Sequence, residues 1–286
     1  MKLCFTVDWE DWYHGLRMPV DQWKSLERRI KIGHYKLLEF FSKYRIKATY
    51  FLLGIMAEEF PELVGEIKNE GHELGCHTYS HPFLTDINVQ EFRAEITKCK
   101  EIISPFQNGY KGFRAPYFSI KKDNLWILDI LKEENFSYDS SIFPGNTLRA
   151  GIQGFEKNIH TLPNGLKEFP ISNFEITKFE FGIGGAYFRF LPYRYFKYRL
   201  KKMLQMRPAL FYFHPWEFDV KQPYIKGLTH RAVHSHYYNL GATEGKLKKL
   251  FSDFEFSPLS EILNNESVVE NFSPTKGMSA LSLIHI

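Results

Sequence analysis

The sequence predicts an α/β fold: a mainly parallel sheet of about seven strands, arranged in the manner of a (β/α) barrel. Three observations carry this. Short apolar strand patterns alternate with helical patterns over most of the chain, which gives parallel strands joined by crossover helices. A length of 286 residues with 44% apolar content suits one barrel unit and its core. Asp8, His77, Arg114, Asp139 and His214 each fall at the C-terminal end of an expected strand, where α/β barrels carry their sites.

The elements follow in order. LCFTVDW (3–9) reads as a strand, HYKLLEFFSKY (34–44) has apolar residues at helical spacing, and KATYFLLG (47–54) is a strand. Pro61 opens a helix that Gly71 ends, because proline suits the first helical position and glycine the position past the last. HELGCH (72–77) is a strand running into a histidine. EFRAEITKCKEII (91–103) is a helix, KGFRAPY (111–117) a strand and KDNLWILDILKEEN (122–135) a helix. FSYDSSIF (136–143), KEFPIS (167–172) and ALFYFHPW (209–216) complete the strands. The stretch 144–192 is rich in Gly and Pro and reads as a loop-rich excursion. Its GIGGAYF (182–188) is neither a Walker loop nor a G-x-G-x-x-G fingerprint. A single domain is expected over 1–256. The unpatterned residues 257–286 are expected to be a disordered or non-native tail.

Composition excludes some classes. With 37 Lys and Arg against 33 Asp and Glu the net charge is only +4, and no basic stripe dense enough for nucleic acid stands out. The densest basic run, Arg194, Lys197, Arg199, Lys201 and Lys202 among Tyr193, Tyr195, Phe196 and Leu200, reads as an amphipathic helix with a solvated face. Peripheral contact with an anionic membrane surface is the alternative for that face. Cys4, Cys76 and Cys99 form no C-x-x-C and are expected reduced and buried. No apolar signal region opens the sequence and no run of about eighteen apolar residues occurs, so a cytoplasmic protein without a transmembrane segment is expected. The oligomeric state is not read from these features.

The chemistry concentrates at FTVDWEDWYH (5–14), where Asp8, Glu10 and Asp11 crowd a strand end with His14 close behind. Carboxylates this close repel each other, and facing a pocket they call for a cation or a shared proton. HTYSH supplies His77 and His81, which on a helical turn would face the same way and suit a divalent metal. Two histidines and a carboxylate make a triad with open positions for a hydrolytic water. If the chain stays extended, Asp8 and Glu10 share a face. A turn after Trp9 would bring in Asp11 instead. Trp9, Trp12, Tyr117, Trp126 and Trp216 are candidates for a sugar platform, with Trp126, inside a helix, better read as core. His230, His234 and His236 lie in a loop-like stretch, and the chain reads better without a second metal there.

These motifs resemble those of NodB-type polysaccharide deacetylases, carbohydrate esterase family 4. The five family motifs occur in order: TVDWED (6–11), His77-Thr78-Tyr79-Ser80-His81, Arg114-Ala115-Pro116-Tyr117, Tyr138-Asp139-Ser140-Ser141, and the run Leu210 to His214. Val7 to Trp12 and the H-P-W-E…D-x-x-Q-P run from His214 to Pro223 are similar to the branch found in bacterial exopolysaccharide and lipopolysaccharide loci. The likeness covers about residues 1 to 256. One departure stands out: the family's two adjacent aspartates are base and metal ligand, and here Trp9 takes the second place.

The resemblance implies a distorted (β/α) barrel, the NodB homology fold. It implies a divalent metal, zinc before cobalt, nickel or manganese, held by Glu10 or Asp11 with His77 and His81; strand alternation favours Glu10. Asp8 would be the base, held ionised by Arg114. His214 would protonate the leaving amine, oriented by Asp139, and a backbone N–H near Tyr117 would face the oxyanion. Tyr117, Trp12 and Trp216 would contact the sugar. The reaction implied is removal of the N-acetyl group from N-acetylhexosamine units of a polysaccharide or lipid-linked glycan precursor. The readings to weigh against it are hydrolysis of a non-sugar C–N bond and a non-catalytic carbohydrate-binding homologue.

Overall fold

The computed structural model describes residues 2–145, 150–176, 179–265 and 270–271. The first strand, β1 (Leu3–Trp9), is buried along its whole length, as a central parallel strand must be. On one side of it lies β10 (Ala209–Phe213). On the other follow β2 (Thr49–Leu52), β3 (Glu73–Cys76), β4 (Gly112–Phe113), β5 (Tyr138–Asp139) and β7 (Lys167–Glu168), every neighbour parallel. These are the seven strands read from the sequence. The sheet is extended by β6 (His160–Thr161), antiparallel to β7, and by β12 (Glu270–Asn271) beyond it. A short β11 (Phe256–Ser257) also pairs with β1.

The sheet curls without closing through strand pairing. Between β5 and β10 the gap is bridged by single hydrogen bonds: Ile171 N to Ile142 O, Ile183 N to Ser172 O, and Tyr212 N to Ile183 O. A separate hairpin, β8 (Asn173–Ile176) with β9 (Phe179–Gly182), fills this seam. The expected excursion at 144–192 thus holds strands too short to show a period.

Side chains alternate across β1. Leu3, Phe5, Val7 and Trp9 face the helices and join the large core. Cys4 faces inward, packing with Phe51, Tyr138, Phe169, Leu210 and Tyr212. Asp8 lies on the same face as Cys4, at the C-terminal mouth of the curled sheet. The helical layer comprises α1 (Val20–Trp23), α2 (Ile30–Tyr44), α3 (Gly54–Glu59), α4 (Pro61–Asn69), α5 (Val89–Ile103), α6 (Trp126–Glu133), α7 (Gly185–Phe190), α8 (Tyr193–Met206), α9 (His230–Tyr237), α10 (Thr243–Asp253) and α11 (Leu259–Leu263). Asn88 and Glu91 form a capping box at the start of α5. The basic run lies on α8, which buries Phe196, Leu200 and Met203 and leaves the charges outward. All three cysteines are free and buried. Among the described residues no helix is long and apolar enough to cross a membrane.

Two expectations need correcting. Residues 257–265 are not tail: α11 buries Leu259, Ile262 and Leu263 against the sheet interior, and Leu259 N donates to Thr49 Oγ1 at 2.9 Å. Apart from 270–271, the rest of the expected tail lies outside the described residues. His230, His234 and His236 are on a helix, α9, whose N-cap Thr229 accepts from Ala232 N.

Gly33 shows how closely α2 approaches the site. A Cβ there would lie 1.9 Å from the carbonyl oxygen of Pro215, the residue after His214. Gly33→Ala is expected to cost about 1–3 kcal/mol through overpacking and to displace the His214 loop. Thermal midpoint and kcat/KM would fall together. An unchanged kcat/KM would show that the loop does not depend on this contact.

His72 gives the fold an acid sensitivity remote from the site. Its Nδ1 accepts from Ala48 N at 3.2 Å, and Phe41 and Tyr50 flank the ring. Burial, with smaller repulsion from Lys47 and His34, pushes its pKa down to about 4. The unfolded chain takes up this proton near pH 6.5 and the folded one near 4. The stability contribution is therefore complete above about 6.5 and lost as pH falls toward 4. Urea midpoints are expected to reveal a loss on the order of 2 kcal/mol between pH 7 and pH 5 that His72→Gln removes.

Candidate active site

The strand ends converge on a pocket of about 450 Å³ lined by Asp8, Glu10, His77, His81, Tyr117 and His214 among others. Asp8 is a buried anion of this pocket. Arg114, fully buried at the end of β4, donates through Nη1 to Asp8 Oδ1 at 2.8 Å and to Thr6 Oγ1 at 2.7 Å. Its Nε and Nη2 bond Ser140 O and Ser140 Oγ, so the guanidinium cannot swing away. Burial alone would push Asp8 up. The positive charge of Arg114, with His77 and His214, outweighs this and holds Asp8 below the ordinary carboxylate range.

Glu10 turns into the same pocket, its N–H bonding back to Asp8 O at 3.0 Å. Oε1 accepts from Trp216 Nε1 at 3.2 Å. Oε2 lies 2.8 Å from His81 Nε2 yet is a buried oxygen without a hydrogen-bond donor. His77 Nδ1 donates to Arg114 O at 2.8 Å, which leaves Nε2 unprotonated for the pocket. Ligand atoms of Glu10, His77 and His81 all lie within 4.8 Å of one another. Burial pushes both histidines down, to about 4 for His77 and about 3 for His81, so both are neutral donors near pH 7. An orphaned carboxylate oxygen facing two neutral imidazoles fits a divalent cation.

His77 and His81 do not share a helix face. They sit on an irregular turn with Thr78 and His81 in the left-handed region, at φ 62° and 57°. Such a φ is strained for a β-branched threonine. Glu95 of α5 holds the turn, accepting from Tyr79 N, Ser80 N and Ser80 Oγ at 2.6–2.8 Å.

Asp11 is not a ligand. Its Oδ2 accepts from Arg29 N and Ile30 N, and its Oδ1 from Trp12 N, so it caps α2. The crowded acids of the first strand end thus divide into a carboxylate paired with Arg114, one that faces His77 and His81, and a helix cap. Trp12 does not line the pocket either. It is fully buried with Tyr13, Leu16 and Trp23, its Nε1 donating to Glu27 O. Trp9 is likewise buried, its Nε1 donating to His34. Trp126 packs against the core as expected. Tyr117 does line the pocket, from a residue at φ 56° followed by Phe118 at 54°. Trp216 also lines it, sandwiched between His214 and His236 with ring centroids 5.0 and 4.2 Å away.

Asp139 does not orient His214. It accepts from Ser141 N and Ser141 Oγ, and Ser141 Oγ in turn accepts from Ala115 N, which braces the Arg114 loop. The residue holding His214 is Glu217, whose Oε1 lies 3.0 Å from Nδ1 and also accepts His214 N. Nε2 then faces the pocket, 3.8 Å from Asp8 Oδ2 and 3.9 Å from Glu10 Oε1. The other oxygen of Glu217 pairs with buried Arg189, which also donates to the carbonyls of Ser235, His236 and Tyr238. Sequence reasoning missed Glu217 and Arg189. The signal for Glu217 was its place three residues after His214 on a single tight turn. Arg189 gave none. The D-x-x-Q-P run anchors this loop: Asp219 pairs with Arg29, and Gln222 bonds His236.

A curled parallel sheet with a two-histidine, one-carboxylate pocket at its C-terminal mouth, beside an Arg-held aspartate and a carboxylate-held histidine, defines a hydrolase-type site. Residues 33–135 match the family described as polysaccharide deacetylase, and residues 140–264 match a domain of unknown function, DUF3473. The chain is 36% identical over 144 residues to a peptidoglycan-N-acetylglucosamine deacetylase of Bacillus cereus, covering 46% of this chain and 51% of that one. It is 29% identical over 138 residues to a peptidoglycan deacetylase of Helicobacter pylori, covering 48% and 46%. It thus spans about half the length of these relatives. A solved candidate polysaccharide deacetylase from Mycobacterium smegmatis has the same fold, with a TM-score of 0.64 at 17% identity over 97% of this chain and 94% of that one. Residues 33–135 thus carry the match to the polysaccharide deacetylase family, whose NodB-type members the sequence motifs resemble.

Proposed function

We propose that this protein is a metal-dependent deacetylase acting on N-acetylhexosamine units of a polysaccharide or lipid-linked glycan precursor. The observation that carries the reading is the orphaned Glu10 Oε2 between neutral His77 and His81, next to an Asp8 held ionised by Arg114. A divalent cation on Glu10, His77 and His81 would supply Lewis acidity toward the acetyl carbonyl and the attacking water. Asp8 takes a proton from that water as its oxygen bonds to the carbonyl carbon. His214, as the doubly protonated ring, gives its Nε2 proton to the sugar nitrogen as the C–N bond breaks, and regains one from the protonated Asp8, whose Oδ2 lies 3.8 Å from Nε2. Acetate and a free amine leave. Glu217 fixes the ring throughout by accepting from Nδ1, and Trp216 walls the histidine in. Named deacetylases among the relatives support this reaction class.

The test is acetate release by zinc- or cobalt-loaded protein from N-acetylglucosamine and N-acetylgalactosamine oligomers, with Asp8→Asn as control. Release that falls at least about 10³-fold in the variant is expected, from loss of the base. Equal silence of both proteins with metal bound, on free and lipid-linked substrates alike, would overturn the reading.

A further inference from the structure

Arg17 stands apart from the chain's other arginines near the site. Arg28, Arg29, Arg114 and Arg189 are all tied to carboxylates. Arg17 is exposed at the pocket rim and has neither ion pair nor hydrogen bond among the described residues. Its backbone is left-handed at φ 57°, immediately after the short turn His14–Leu16. Its guanidinium carbon lies over an aromatic stack, 3.7 Å from the Phe83 ring centroid and 5.8 Å from that of Tyr117. The two rings are stacked at 3.9 Å and 3°, and Tyr117 is fixed by its hydroxyl donating to His14 O.

The charges deeper in the pocket are accounted for. Asp8 is matched by Arg114, and Glu10 faces the cation position. The positive charge on the rim is not. Stacking immobilises a guanidinium while leaving its N–H edges for two oxygens of a carboxylate or phosphate.

We infer that Arg17 is the specificity residue of this pocket and that the accepted glycan is anionic. The anion would be a carboxylate or phosphate on the deacetylated sugar or its immediate neighbour. This rests on the deacetylase reading for the reaction, but not for the binding preference.

The test separates the two. Zinc-loaded protein carrying Asp8→Asn, which stops turnover, is titrated calorimetrically with three oligosaccharides of equal length. One is neutral N-acetylglucosamine oligomer, one carries a uronate beside the N-acetylated sugar, and one carries a glycosyl phosphate. At least one anionic ligand is expected to bind about tenfold or more tightly than the neutral one, and whichever gains identifies the anion. Arg17→Gln is expected to bring that ratio close to one, and Arg17→Lys to restore part of it, since a point charge lacks the fork. Similar affinity for all three ligands overturns the inference, as does failure to bind any. So does an Arg17→Gln protein that loses neutral and anionic ligands equally, which would make Arg17 a prop for Tyr117. Absence of acetate release from the parent protein would count against the deacetylase reading alone.

Discussion

Replacing Glu10 by Ala is expected to strip the protein of its divalent metal and to lower acetate release by on the order of 10³ or more, a loss of several kcal/mol of transition-state stabilisation. Replacing Asp11 by Ala is expected to do neither. Only Glu10 has an oxygen facing His81 without a donor; Asp11 Oδ2 is occupied by backbone N–H groups at the start of α2 and its Oδ1 by Trp12 N. Asp11→Ala should instead cost about 1–2 kcal/mol of stability through the lost cap. Metal content after gel filtration, thermal midpoint and acetate release decide the matter. Metal lost from Asp11→Ala and retained by Glu10→Ala would reverse the assignment.

The second large effect concerns His214. Glu217→Gln is expected to lower kcat by about 10² while leaving metal content and KM nearly unchanged, because the amide no longer fixes which ring nitrogen carries the proton. In a His214→Gln background the same change should have almost no further effect, since the two residues act as one unit. The fold also pays here: Arg189 loses its anion and keeps only carbonyl acceptors, a cost of about 3–5 kcal/mol. Asp139→Asn is the contrast. It weakens the brace through Ser141 to Ala115 and so disturbs the Arg114 loop, without touching the Nδ1 bond of His214. If Asp139→Asn, and not Glu217→Gln, behaves as one unit with His214, the sequence expectation is restored and the geometry overruled.

How much of this could be read in advance depended on whether a contact is local. The bounds of β1 were readable because an apolar run is cut off by acids. Strand alternation favoured Glu10 over Asp11; Glu10 does face the pocket, but β1 ends at Trp9 and the chain turns there, Glu10 N bonding back to Asp8 O. Asp8 and Arg114, 106 residues apart, were paired only through the family likeness, and the structure bears the pairing out. Asp139 misled because a buried carboxylate after a strand is chemically suited to a histidine, and order along the chain does not say which carboxylate is nearer. Trp12 misled because residues 12–26 build a small separate core with Trp216 and Leu240, which consumes an indole that in a flat loop would have stayed exposed. His77 and His81 converge as expected, but through two left-handed residues and not through helical spacing.

The placement of β10 beside β1 has a consequence for how the molecule is made. The acids at the mouth are synthesised well before their partners: Arg114 follows Asp8 by 106 residues, and Trp216 follows Glu10 by 206. Until then β1 lacks one flanking strand and two carboxylates wait beside an unfinished interior. Such distant pairings slow folding and leave an open strand edge available to other nascent chains. Expression at low temperature, or with a chaperone that shields that edge, should therefore raise the soluble yield more than any change at the surface of the finished protein.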